Sequence, residues 1–109
     1  MQLTKQELNE LMAEIVGPDY FHAWYVRVDW DPCTDEKEAL QCLKAWCKAN
    51  NGFAYLEVSY RLCPSVCLTT KDEEGRSVDK GWGEGGTLAT AACLALASAV
   101  KGEQVELKV

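Results

Sequence analysis

The chain has 109 residues, 48% of them apolar, a size and composition that fit one folded domain and exclude a disordered tail. Its 17 Asp and Glu against 11 scattered Lys and Arg give a formal charge of −6, which leaves no basic stripe for a nucleic-acid backbone. No run approaches the roughly 20 apolar residues of a membrane span, and the charged start "MQLTKQELNELMAEIVG" does not read as an export signal, so a cytosolic protein is expected.

Thr4 and Glu7 form a capping box, and Leu8, Leu11, Met12 and Ile15 fall at helical spacing before Gly17-Pro18, which predicts a first helix over Lys5 to Val16. From Tyr20 the period changes to two. Trp24, Val26, Val28 and Trp30 share one face and Tyr25, Arg27 and Asp29 the other, the alternation of a half-buried strand. Pro32 cannot continue a ladder, and Thr34 or Asp35 caps a second helix with an acidic first turn. Ala39, Leu40, Leu43, Trp46 and Cys47 are its expected apolar stripe, and "NNG", Asn50 to Gly52, ends it.

"FAYLEVSYRL" predicts a strand with Ala54, Leu56, Val58, Tyr60 and Leu62 on one side and Tyr55, Glu57, Ser59 and Arg61 on the other. "SVCLTT" and "SVDKGW" flank the polar turn "KDEEGR" as a hairpin, with Gly75 taking the bend. The last helix, Thr87 to Val100, is apolar nearly all round, interrupted only by Thr90 and Ser98. Such a helix must be covered on every side, by the sheet and by a neighbouring helix or a second copy, and a homodimer is the inference. "QVELKV" closes the chain as an edge strand. The expected fold is α+β, mainly antiparallel, one domain over 1–109, in the order α-β-α-β-β-β-α-β.

The stretches "WDPCTDEKEA", Trp30 to Ala39, and "LATAACLALASA", Leu88 to Ala99, resemble the phage ABA sandwich domain, a small module of bacteriophage genomes. Cys33 stands where that family usually has serine, and "NGFAYLEVSYRLCPSV" matches only in pattern. The resemblance implies a helix-sheet-helix (α/β/α) sandwich, a phage source and residence in the host cytoplasm. It brings no catalytic residues.

The remaining question is "GWGEGGT", Gly81 to Thr87. A strand leaving through glycines into a helix start exposes free N–H groups and the positive end of the dipole, an anion site. The other reading is structural: the glycines let the strand lie closely against a helix and Thr87 caps that helix. Neither a Walker motif nor a dinucleotide fingerprint is present. On the ligand reading, Gly85, Gly86 and Thr87 meet the anion, Arg27 and Arg61 pair with it, and Trp82 stacks on a base.

Catalysis has little support. Asp29 and Asp31 point the same way on the expected strand, but two carboxylates without a third ligand do not make a magnesium site. His22, the only histidine, has no orienting partner. Cys63 and Cys67 are spaced C-x3-C, but Cys42 and Cys47 lie about 140° apart on the expected helix and cannot easily clamp one ion, so the six cysteines are expected to be reduced and packed as small hydrophobes. No metal or cofactor is implied. The function expected is therefore a non-catalytic phage accessory protein, a homodimer that holds a small anionic, nucleotide-like ligand such as a host immune signal without cleaving it. The alternative is an anti-defence inhibitor that binds a host protein and takes no small molecule. Trp30 and Trp82 discriminate: on a flat exposed patch they favour protein contact, in a cleft beside the glycines they favour a ligand.

Overall fold

The computed structural model describes residues 1–17, 30–57 and 63–109. Helix α1, Lys5–Val16, begins as its capping box dictates: Glu7 donates its amide to the Thr4 hydroxyl at 3.1 Å, and the Glu7 carboxylate accepts from the Thr4 amide at 3.0 Å. It stops where Gly17 takes a φ of +85°. Helix α2, Glu36–Asn50, starts at Asp35, not Thr34, because the Asp35 carboxylate accepts the Glu38 amide at 3.1 Å. It ends on Asn51 in the left-handed conformation.

Three antiparallel strands follow in spatial as well as chain order: β1, Gly52–Glu57; β2, Ser65–Lys71; and β3, Ser77–Glu84. The β2–β3 turn is fixed by Asp72, whose carboxylate accepts the amides of Glu74 and Arg76, and by Gly75 at φ +82°. Helix α3, Leu88–Lys101, is capped by Thr87 and ended by Gly102 at φ +73°. Two short parallel strands tie the chain ends together, Gln2–Leu3 beside Glu106–Leu107. Period-two reading of "QVELKV" finds that second strand but neither its shortness nor its partner, because a two-residue pairing at residues 2–3 leaves no alternation to detect.

Side-chain parity sorts the sheet into two faces. Ala54 and Leu56 of β1, Val66 and Leu68 of β2, and Gly81 and Gly83 of β3 are paired across the strands and face inward. The helices lie on that side: α3 against β3 and β2, α2 against α3 and β1, and α1 across α2 and α3. Leu8, Met12, Val66, Leu68, Cys42, Cys93 and Leu96 have no solvent exposure, and they form the core between these layers.

The all-apolar character of α3 is explained by this arrangement. Its residues 91–98 are buried throughout, with the sheet on one flank and α1 and α2 on the other. The cover that the sequence demands is thus supplied within the chain, and α3 does not itself call for a second copy. The α2 stripe is shifted from its expected position: Cys42 is in the core with Ala39, Leu43 and Trp46, whereas Leu40 is 39% exposed. Helix α2 packs on α1 and α3 as well as on β1, so its buried arc is turned toward the helices, leaving Leu40 at the rim. Among the described residues the architecture is a small α+β fold of three helices and an antiparallel three-stranded sheet. The strand expected from Tyr20 lies outside the described residues except for Trp30, which is half-buried and donates from Nε1 to the Asn9 carbonyl at 2.8 Å.

Candidate functional site

The glycines of "GWGEGG" serve helix packing. A Cβ on Gly83 would stand 2.3 Å from the Ala95 nitrogen and 2.5 Å from the Ala91 oxygen, and one on Gly81 would stand 2.4 Å from the Ala95 oxygen. These neighbours are backbone, so no rotamer change makes room. A Cβ on Gly85 would stand 2.9 Å from the Thr90 methyl, while one on Gly86 would have nothing within 4 Å. Three of the four glycines therefore allow α3 to lie directly on β3.

Thr87 is already engaged. Its hydroxyl accepts the Thr90 amide at 3.2 Å and donates to the Thr90 hydroxyl at 3.1 Å. Thr90 in turn donates to the Cys33 carbonyl at 2.9 Å, which joins the start of α3 to the turn before α2. These are the two stretches that carry the sequence resemblance, and they meet here.

Beside the junction lies a groove of about 400 Å³ whose wall includes Trp82, Gly85 and Gly86 together with Gln104 and the carboxylate residues Glu84 and Glu106. Trp82, Gly85 and Gly86 thus line one groove, whereas Thr87 is the helix cap. Two acidic residues in the wall oppose an anion. Arg27 and Arg61 fall outside the described residues, as does Asp29 of the weak magnesium reading. Asp31 is held by Lys5 at 3.0 Å, by Asn9 at 2.9 Å and by the Thr34 hydroxyl. Burial alone would raise its pKa, but these hydrogen bonds outweigh it and hold the carboxyl below the ordinary aspartate value. It is a turn-stabilising residue.

The other side of Trp82 faces outward. Counting across the three strands, Tyr55, Cys67 and Trp82 form one row, Glu57, Ser65 and Glu84 the row above, and Phe53, Thr69 and Asp79 the row below. In a regular strand residues 79 and 82 would point to opposite faces. The register shift opposite Leu68 and Thr69 passes over Lys80, and this bulge brings Asp79 and Trp82 to the same face. Phe53, Tyr55 and Trp82 are 47%, 54% and 41% exposed, whereas Thr69, in the central strand between Phe53 and Asp79, is buried.

The electrostatics of this face are uneven. Glu57, Asp79 and Glu84 border the aromatics, and among the described residues Lys71 stands beside them, its ammonium 6.0 Å from the Phe53 ring centre. The Cys67 thiol contacts Asp79 at 3.9 Å, and burial together with that carboxylate pushes its pKa up, so it remains neutral. The alternation of "FAYLEVSYRL" places Tyr55 outward, but the patch as a whole is invisible to the sequence because it depends on strand register and on the bulge.

Among the described residues no cluster of His, Cys, Asp and Glu has the make-up of a metal site. The described cysteines are all free. Burial first, then nearby charge, pushes Cys42 up to about 12, and hydrogen bonding to Cys33 with burial raises Cys93 further, so these core thiols are poor nucleophiles. No helix among the described residues is long and apolar enough to cross a membrane. No protein-family model, curated protein or solved structure matches the chain.

Proposed function

We propose that this chain is a non-catalytic binding module, of the phage accessory type its two helix openings resemble, which contacts a protein partner through the outward face of the sheet. The observation that carries the reading is the exposed row of Tyr55 and Trp82 with Phe53 beside it, bordered by Glu57, Asp79 and Glu84. Aromatic faces and carboxylates together suit an arginine-bearing segment: guanidinium stacks on the rings and pairs with the acids.

Size narrows the partner. Three strands about 4.8 Å apart and about six residues long at about 3.3 Å each give a patch of roughly 14 by 20 Å. That is well below the ~800 Å² per side of a stable complex, and it fits a short segment better than a globular surface. A partner laid on this face would also supply the third layer of the helix-sheet-helix sandwich expected from the resemblance. Action in the host cytoplasm against a host protein belongs to the same proposal.

The anionic-ligand reading retains one observation, the groove that gathers Trp82, Gly85 and Gly86. The packing role of Gly81, Gly83 and Gly85 and the two carboxylate residues in the wall favour the sheet face. The test is fluorescence anisotropy with a labelled arginine-serine peptide and, separately, a labelled adenine nucleotide. The peptide is expected to bind, and a Tyr55→Ala, Trp82→Ala double variant to weaken it at least about tenfold. Binding of the nucleotide alone would return the function to the glycine groove.

A further inference from the structure

A second surface has the opposite charge. Along α2, residues 37, 44 and 48 are separated by seven and four positions, so Lys37, Lys44 and Lys48 fall within about 40° of one another on the helix. Together they hold three of the chain's 11 basic residues. All three are exposed, and among the described residues none has an ion-pair partner. Beside this stripe the helix and β1 enclose a groove of about 360 Å³, with Leu40, Ala54 and Leu56 in its wall. Leu40 and Leu56 are 39% and 48% exposed.

Lone exposed leucines need no explanation, but two leucines in one groove beside an unpaired lysine stripe form a composite surface. Its chemistry asks for an apolar ridge flanked by carboxylates. Its dimensions ask for a helix: the lysines span about 16 Å along α2, and acidic residues seven and four apart on a second helix match that spacing. From this charge complementarity we infer that the α2–β1 groove docks an acidic amphipathic helix of a protein partner, with leucine-type side chains over Leu40 and Leu56 and carboxylates at Lys37, Lys44 and Lys48. The mode is helix-in-groove. It is separate from the sheet-face contact and stands whether or not that reading holds. With both surfaces occupied, the module would bridge a basic segment on one face and an acidic helix on another.

The probe is a fluorescein-labelled peptide of about 14 residues, helical, with leucine on one face and glutamate at the matching spacing. Binding is expected to raise its anisotropy, to weaken at least about tenfold in the Lys37→Glu, Lys44→Glu, Lys48→Glu variant, and to fall as salt rises from about 0.05 to about 0.5 M. Leu56→Asp, on the sheet side of the groove, should weaken it as well, while unchanged melting temperatures show that both variants are folded. An arginine-serine peptide should not compete. Three results would overturn the inference: no binding, binding indifferent to the lysine reversal, or displacement of the peptide by dodecanoate, which would make the groove a site for an acyl anion.

Discussion

Substituting Gly83 by alanine tests the structural role of the glycine run. The new Cβ would lie 2.3 Å from the Ala95 nitrogen, and ordinary contact begins near 3.4 Å, so α3 must retreat from β3 by about 1 Å. A gap of that size forfeits a quarter to a half of the dispersion attraction across it. The residues behind α3, including Leu8, Met12 and Cys42, have no exposure and leave no space for the retreat. The expected cost is about 3 kcal/mol, the upper part of the overpacking range. In a domain of this size that lowers the melting temperature by roughly 12–24 °C. Gly86→Ala is the paired control: nothing lies within 4 Å of its Cβ, and its φ is not in the left-handed region, so a change within about 0.5 kcal/mol is expected. Thermal and urea unfolding followed by circular dichroism measure both. A Gly83→Ala protein that melts with the parent, or a Gly86→Ala protein equally damaged, would refute the packing argument.

Further outcomes follow from single contacts. Thr69 carries a buried hydroxyl with no hydrogen-bond partner among the described residues, so Thr69→Val should raise stability by about 1 kcal/mol in urea unfolding. Asp31→Asn should destabilise by about 1 kcal/mol at neutral pH, through the weakened Lys5 and Asn9 contacts. Because the folded pKa of Asp31 is depressed, its contribution is present above the unfolded value near ~4 and is lost as pH falls through the lower folded value. The difference between parent and variant should therefore shrink as unfolding is repeated at successively lower pH from ~6 to ~3. In native protein at mildly alkaline pH, iodoacetamide should modify exposed Cys63 and spare Cys42 and Cys93 until urea is added, as read by peptide mass spectrometry.

Much of this fold was legible because its signals are local. The capping box at Thr4 and Glu7, the left-handed stop after Asn50 and the Gly75 bend each depend on neighbours within a few residues, and the elements begin or end there. The α2 stripe was less legible. Leu40 and Cys42 exchange their expected places because the buried arc of α2 is set by three packing partners, which periodicity does not count. At the site, the sequence brought attention to Trp82 and the glycines, but it offered two readings of the same residues. The missing quantity was the distance from β3 to the backbone of α3, a tertiary property. The aromatic row was hidden for a related reason, since Tyr55 and Trp82 are 27 positions apart and become neighbours across Cys67 only through strand pairing.

The central claim, that the outward sheet face is the contact surface, is tested most directly by a residue-resolved amide and indole NMR titration. One sample receives the arginine-serine peptide and a second receives an adenine nucleotide. The account predicts that the peptide shifts the signals of Phe53, Tyr55, Cys67 and the Trp82 indole while those of Gly85, Gly86 and Leu88 stay in place, and that the nucleotide shifts neither set. A nucleotide-dependent shift confined to Gly85, Gly86 and Leu88, with the aromatic row silent to the peptide, would contradict it.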